Sequence, residues 1–284
     1  MTKYLLYTAV LFVLCSSAAI AQMDNPLMPE QKSEKLLIGP VAGINLVNHS
    51  TDYQVVAEQN AGADNPDITG ACPSFESGSS TGFFVGFTTE YLIGGSKNST
   101  MGIIGRVMYQ NFPASFETAS PPYPVKARSA ATGETITEIS RVTNTLDITY
   151  DVITIEAQYK YNFLDGLGIV AGPSFDFTLN AGEEKQMILE NEDLVFAEWT
   201  PEAQAAGEFI DERTRNLNPG NEIEGSAAFR LGIKAGIQYE WILPNSGYMI
   251  IPHINYNFGV TQFTTEQDWN VSALQIGLDF RFGV

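Results

Sequence analysis

The sequence is short of cysteine, histidine and basic residues, and each shortage removes a class of function. There are 2 Cys, 2 His and 15 Lys+Arg in 284 residues. Two cysteines cannot build a disulfide-stapled scaffold, and with so few histidines no Cys/His zinc cluster can form. No phosphate-cradling glycine loop or P-loop is present. The 33 Asp+Glu give a net charge of −18, and a surface of that sign repels phosphate backbones, which excludes nucleic acid as a partner. Charged residues of both signs make up only 17% of the chain, below the ~25% usual for soluble domains. Beyond residue 21 there is no run of 18 apolar residues, so no helix of that kind can cross a membrane. What remains is 44% hydrophobic content, 25 Gly and 11% aromatics, a composition suited to a β protein with many turns.

Residues 1–21 read as a secretory signal peptide. Lys3 supplies the positive start, Tyr4 to Leu14 is an apolar run of eleven, and Ala19-Ile20-Ala21 is an A-x-A cleavage site before Gln22. Cys15 is preceded by Leu14, where a lipidation site needs a small residue, so no lipid anchor is expected. Cleavage leaves Cys72 as the one cysteine and a balance of 14 − 33 = −19. An exported chain without a helical span can still occupy a membrane as a closed β-barrel.

Eight segments alternate in period two: Leu36–Val47, Phe83–Ile93, Gly102–Phe112, a run from Ile153, Gly168–Leu179, a run from Ala227 to Trp241, Tyr248–Val260, and a last one from Leu274 to Phe282. Each has about the 9–11 residues that a tilted strand needs to cross a bilayer. Their connections alternate in length. Long ones fall at 48–82, 113–146, 180–225 and 261–271; tight links fall at Gly94–Asn98, Leu164–Gly166 and Leu243–Gly247. Short turns on one side and long loops on the other predict an all-β fold, a single eight-stranded antiparallel up-and-down transmembrane β-barrel over residues 36–284. Residues 22–35 form a short polar tail on the periplasmic side. Residues 135–146 and 188–199 leave ten strands open as an alternative, by extending the hairpins or adding pairs.

The two faces of these segments differ in kind. Tyr91, Tyr159, Tyr161, Phe163, Tyr239, Trp241, Tyr248, Phe280 and Phe282 gather near the short-turn ends of the apolar face. Phe83, Tyr109, Phe175, Phe177, Phe229, Tyr256 and Phe258 gather near the long-loop ends. Two girdles of this kind match the two lipid–water interfaces. The opposite face carries Glu90, Arg106, Glu156, Lys160, Asp176, Arg230, Lys234, Glu240, Asp279 and Arg281, five acids and five bases. Facing lipid, each base would cost ~2–4 kcal/mol at the midplane. Facing a lumen that side chains nearly fill, they can pair into an ion network. Inward glycines such as Gly39, Gly102, Gly172, Gly232 and Gly277 would leave room for the long bases and let the strands coil.

These features resemble the small outer-membrane barrels of the PorT-type and OmpA/OmpX-like superfamily. The resemblance rests on the leader, the opening Leu37-Ile38-Gly39-Pro40-Val41-Ala42-Gly43, the eight-strand rhythm and the terminal Gly277-Leu278-Asp279-Phe280-Arg281-Phe282. It implies a fold and a place in the outer membrane of a Gram-negative envelope, not an activity. Such barrels often end on the aromatic residue that the assembly machinery reads, whereas this chain adds Gly283 and Val284.

Candidate chemistry is sparse. His253 sits mid-strand on the inward face beside Asn255 and Asn257, with no serine, acid or second histidine at a spacing that implicates it. His49 stands at the first strand's rim beside Ser50, Thr51 and Asp52, where a barrel hydrolase would keep a His–Ser or His–Asp pair. Asp64-Asn65-Pro66-Asp67 and Glu190-Asn191-Glu192-Asp193 offer oxygen ligands, but neither matches the twelve-residue calcium loop. In the 180–225 segment twelve acids face three bases. Thr200-Pro201-Glu202 reads as an N-cap with Pro at the first helical position, predicting a short helix to about Asp211. Phe196, Trp199, Phe209 and Ile210 are its candidate interaction residues, packing on the barrel mouth or meeting a partner. The sequence therefore predicts a non-enzymatic outer-membrane barrel with acidic surface loops, no cofactor, no catalytic residues and no dedicated metal site. Its expected partners are outer-membrane lipid and lipopolysaccharide, and a protein or divalent cation at the loops. The alternatives are a narrow porin-like channel, a rim or lumen enzyme using His49 or His253, and a soluble lipocalin-like binder.

Overall fold

A computed structural model describes residues 35–54, 74–93, 100–196, 205, 207–217, 221–223, 225–244, 247–265 and 267–284. The predicted signal peptide, residues 22–34 of the tail, Cys72, the acids of 64–67 and Trp199 lie outside the described residues. The strands run in chain order β1 (Leu36–Gln54), β2 (Ser74–Ile93), β3 (Met101–Asn111), β4 (Ala114–Ala119), β5 (Tyr123–Ser129), β6 (Thr135–Ser140), β7 (Val142–Asn162), β8 (Leu167–Leu189), β9 (Leu194–Phe196), β10 (Phe209–Asp211), β11 (Thr214–Asn216), β12 (Asn221–Glu222), β13 (Phe229–Tyr239), β14 (Trp241–Ile242), β15 (Tyr248–Gly259) and β16 (Trp269–Gly283).

Eight of them close a ring. β1 pairs with β2, β2 with β3, β3 with β7, β7 with β8, β8 with β13, β13 with β15, β15 with β16, and β16 returns to β1, every pair antiparallel. Ring neighbours follow one another along the chain, so the course is up-and-down, and closure removes the sheet edges that an open sheet would leave. The seam aligns Leu37 with Gly283 at one end and Thr51 with Trp269 at the other.

Of the tight links, Leu164–Gly166 is fully described, while residues 94–98 and 245–246 lie outside the described residues. Gly166 has φ +74°, a left-handed conformation that glycine adopts without a Cβ penalty, and its carbonyl accepts the Glu240 N–H at 2.7 Å. β13 and β14 form one run broken at Glu240, beside the point where Pro252 of β15 has no N–H to give a neighbour. The inward glycines serve backbone approach more than room for charge. A Cβ on Gly39 would stand 1.7 Å from the Phe280 carbonyl oxygen, and one on Gly172 would stand 2.0 Å from that of Ala157. Gly102 fits the expected use: its Cβ would meet the Glu90 carboxylate at 2.7 Å and Lys160 Cε at 3.3 Å.

The ring reverses its polarity at one latitude, and β7 displays the reversal most fully. From Thr154 to Asn162 the inward residues are Thr154, Glu156, Gln158, Lys160 and Asn162, and the outward ones are Ile155, Ala157, Tyr159 and Tyr161. From Val142 to Val152 the inward residues are Val142, Asn144, Leu146, Ile148, Tyr150 and Val152, and the outward ones are Thr143, Thr145, Asp147, Thr149 and Asp151. Side chains keep their alternation while hydrophobicity moves from the outer face to the inner one.

This reversal revises the predicted loops. The segment placed at 48–82 begins and ends as ring strand, since β1 continues to Gln54 and β2 starts at Ser74, and the one placed at 180–225 begins as ring strand, since β8 runs to Leu189. Likewise β7 begins at Val142, inside the segment placed at 113–146. Among the described residues no ninth or tenth full-length strand joins the ring. Instead β4 continues β3 in the wall, pairing with β7 on one side and with β2 on the other, Ser115 opposite Ser79, and β6, β5 and β9 make a separate three-stranded sheet. Residues 209–211, expected at the end of a helix, are strand β10 because they pair with β11, which itself pairs with β8. Residues 200–204 of that predicted helix lie outside the described residues.

Candidate functional site

All ten charged residues singled out in the sequence are buried inside the ring. Eight of them form one chain of alternating sign: Lys234, Glu156, Arg106, Asp279, Arg281, Glu90, Lys160 and Glu240, each in ion-pair contact with the next. Arg106 bridges Glu156 at 3.5 Å and Asp279 at 3.0 Å, and Lys160 reaches Glu240 at 2.6 Å. The remaining pair stands apart: Arg230 donates to Asp176 through Nε at 3.0 Å and Nη2 at 2.6 Å. Strand register explains the pairings, since Arg106 lies opposite Glu156 and Arg230 opposite Asp176 on adjacent strands.

Neutral side chains that the sequence reading passed over complete this layer. Arg106 donates to Gln158 Oε1 at 2.7 Å, Thr154 donates to Asp176 at 2.7 Å, and Asn162 donates to Glu240 at 2.9 Å. Buried charge persists when it is paired and hydrogen-bonded, and five bases against five acids leave the layer neutral.

An apolar layer closes the charged one toward the long extensions, and at the short-link end an apolar cluster stands beside Glu240 and Asn162. Toward the short links, Leu37, Leu92, Met249 and Ile251 form a buried cluster. Toward the long extensions lies a larger cluster that includes Phe75, Phe112, Phe116, Tyr150, Phe263 and Trp269. Several of its rings meet edge-on, with Phe116 and Trp269 at 5.7 Å and 89°, an arrangement that aromatic quadrupoles favour. The Arg230 guanidinium sits 5.3 Å from the Phe112 ring, joining the two layers by a cation–π contact. This aromatic seal was not foreseen; its only trace in the sequence is the inward apolar set of residues 142–152.

His49 belongs to that seal and does no acid–base work. Its Nδ1 accepts the Trp269 Nε1–H at 3.0 Å, and its Nε2 lies 3.2 Å from the Phe112 carbonyl oxygen, to which it donates in the matching tautomer. Burial, with the Arg230 guanidinium adding to it, pushes the imidazole down to about 3. Ser50 and Asp52 face outward, away from the buried His49, so the rim pair that a hydrolase would need does not form. His253 is also buried, with Nδ1 3.7 Å from Asp279 Oδ1, beyond hydrogen-bond reach. Among the described residues no group of three His, Cys, Asp or Glu side chains is placed to hold a metal ion.

Outside the ring, the aromatics Tyr91, Tyr159, Tyr161, Tyr239, Trp241, Tyr248 and Phe280 all point outward and are exposed; Phe282 is half-buried. With them, exposed Ile103, Ile155, Ile169, Ile233, Ile254 and Leu278 make an apolar band that circles the ring. The candidate interaction residues divide. Phe196 is buried against Ala127, Val142, Leu189 and Leu194, whereas Ile210 is exposed. Phe209 pairs with Arg215 across β10 and β11.

No protein-family model and no curated protein matches the sequence. Several solved structures are similar in outline. The attachment invasion locus protein Ail of Yersinia pestis, in complex with the heparin analogue sucrose octasulfate, is 10% identical, with a TM-score of 0.33 over 87% of this chain and 99% of that one. Neisserial surface protein A is 12% identical, with a TM-score of 0.35 over 88% of this chain and 97% of that one. A deletion mutant of the monoaromatic hydrocarbon channel TodX is 7% identical, with a TM-score of 0.23 over 88% and 91%. The first two are small outer-membrane β-barrel proteins; likenesses this distant leave the fold to be argued from the ring itself.

Proposed function

We propose that this protein is a non-enzymatic, non-conducting outer-membrane β-barrel of the PorT-type or OmpA/OmpX-like kind, which presents an acidic outer half to envelope or partner molecules. One observation carries the reading. The closed ring exposes an apolar band all round its exterior while ten paired charges stand inside it. In water that arrangement is inside-out, because large apolar patches belong in contact with something apolar. In a bilayer it is the favourable one: each backbone polar group is satisfied within the ring, and the bases avoid lipid. A soluble lipocalin-like binder would need the opposite faces.

The interior argues for a closed barrel rather than a porin. A conducting lumen needs a continuous wet path, and here the buried aromatic cluster lies across the interior between the ion layer and the long extensions. Enzymatic readings lose their candidates with His49 locked in the seal. The long extensions, with Glu190, Glu192, Asp193, Asp211 and Glu212 outside the ring, then serve as the presented surface. They favour cationic partners or divalent ions by charge, on a chain of net charge −18.

The test is gel mobility of the protein from outer-membrane fractions, boiled against unboiled. A faster unboiled band that shifts on boiling supports the reading. A water-soluble protein with no shift would sink it.

A further inference from the structure

The exterior row directly beyond the apolar band has an unusual composition. Two stretches of it can be followed strand to strand by register: Ser272, Asn48 and Ser79 across β16, β1 and β2, and Asn111, Asp151 and Asn180 across β3, β7 and β8. Every member is a neutral hydrogen-bonding residue or an acid. Among the described residues, no Lys or Arg points outward from any ring strand above the band. The bases of the ring strands are inside: Arg106, Lys160, Arg230, Lys234 and Arg281 in the ion layer, and Lys185 turned in to the Tyr53 hydroxyl.

The second stretch is a built feature. Asp151 Oδ1 accepts two hydrogen bonds, from the Tyr109 hydroxyl at 2.9 Å and from Asn111 Nδ2 at 2.6 Å. Both donors bind the same oxygen, so Oδ2 and the Asn111 amide oxygen remain to accept from a ligand. The ladder slips at this point: Asp151 pairs with Asn180 but Val152 pairs with Thr178. That bulge turns both Leu179 and Asn180 outward, one against the band and the other beside Asp151.

We infer that this row engages the sugar hydroxyls of an outer-leaflet glycolipid headgroup, not its phosphates. The inference rests on the outer-membrane reading, which puts the row at the depth of the headgroups. Its chemistry follows from what is present and what is missing. Recognition of phosphate calls for Arg or Lys, and a row that holds Asp151 and no base disfavours it. Vicinal hydroxyls suit a carboxylate that accepts and a carboxamide that both accepts and donates.

The experiment uses the full-length protein in neutral detergent with two probes at equal concentration, monoglucosyl diacylglycerol and phosphatidylglycerol, read by native mass spectrometry with and without Mg²⁺. The glycolipid should be retained about tenfold over phosphatidylglycerol, the discrimination that one hydrogen bond to a charged acceptor supplies. Mg²⁺ should not alter that ratio. The exposed Asn180→Ala variant should lower it, and Asp151→Ala should bring it near one while the gel shift on boiling persists. Equal retention, a preference for phosphatidylglycerol, a preference created only by Mg²⁺, or a ratio untouched by both variants would overturn the inference. If neither lipid were retained and no gel shift appeared, the outer-membrane reading itself would fall, which separates the two failures.

Discussion

Replacing Asp176 by Asn should strand Arg230 in the interior. Arg230 is 1% exposed and Asp176 is its one acidic partner among the described residues, bound through two nitrogens. What would remain is the Val271 carbonyl at 2.8 Å and the faces of Phe112 and Tyr150. None of these carries a full negative charge. Removing one member of a buried pair costs about 3–5 kcal/mol, because the other charge stays desolvated. Removing both, as Asp176→Asn with Arg230→Met, should cost only about 1–2 kcal/mol for the lost hydrogen bonds. Glu240→Gln gives an internal control: Lys160 keeps Glu90, so about 1 kcal/mol is expected there. The assay is urea unfolding of the protein folded into phosphatidylcholine vesicles, with the folded fraction read by unboiled gel mobility. A double variant as unstable as Asp176→Asn, or a single variant within about 1 kcal/mol of wild type, would refute the idea that the pair neutralises buried charge.

Other consequences can be measured in the same system. Ile233→Arg, mid-band and outward, should cost about 2–4 kcal/mol of folding into vesicles, while Ser79→Arg above the band should cost about 0–1; equal costs would mean the band does not face lipid. The purified protein should give no stepwise conductance in planar bilayers, and porin-sized steps would show that the buried aromatic cluster does not close the interior. His49 has its pKa lowered from 6.5 to about 3 in the folded state, so between those values the unfolded chain binds the extra proton and stability falls as pH drops. In His49→Phe that contribution is gone, and stability should lose up to about 1.4 kcal/mol less per pH unit across the same window. Parallel pH profiles for the two proteins would contradict that assignment.

The sequence revealed the half of the ring that lies within the band, and physics explains why the rest was hidden. In residues 153–162 of β7, apolar outward residues alternate with charged inward ones, and contrast between faces makes the strand plain. In residues 142–152 the contrast is as strong but its sense is opposite, so the pattern reads as ended at the crossing. In β2 the extension Ser77-Gly78-Ser79-Ser80-Thr81-Gly82 has almost no contrast at all; it is held by pairing with β1, from Ser50 opposite Ser77 to Asn45 opposite Gly82. The ion layer was legible because a base or acid in an apolar alternation has few places to go. The aromatic seal was not, since Phe75, Phe112 and the Phe263–Trp269 pair come from three distant segments and only the closed ring brings them together.

In the proposed outer-membrane setting, the crossing of polarity also acts as a waterline. A bilayer slid two residues up the wall, roughly 6–7 Å along a strand, would draw Asp151 and Asn180 into hydrocarbon; slid down, it would leave Phe83 and Phe177 wet. Upward displacement is opposed on the six strands that carry the polar row, so the molecule floats at one draught. Above that line β7 runs on from Asp151 to Val142 in continuous ladder with β8, a rise of roughly 20–25 Å for a strand tilted by about 40°. The acidic upper works are therefore carried on a stiff mast of fixed height, and whatever they meet must itself come to that distance from the cell surface.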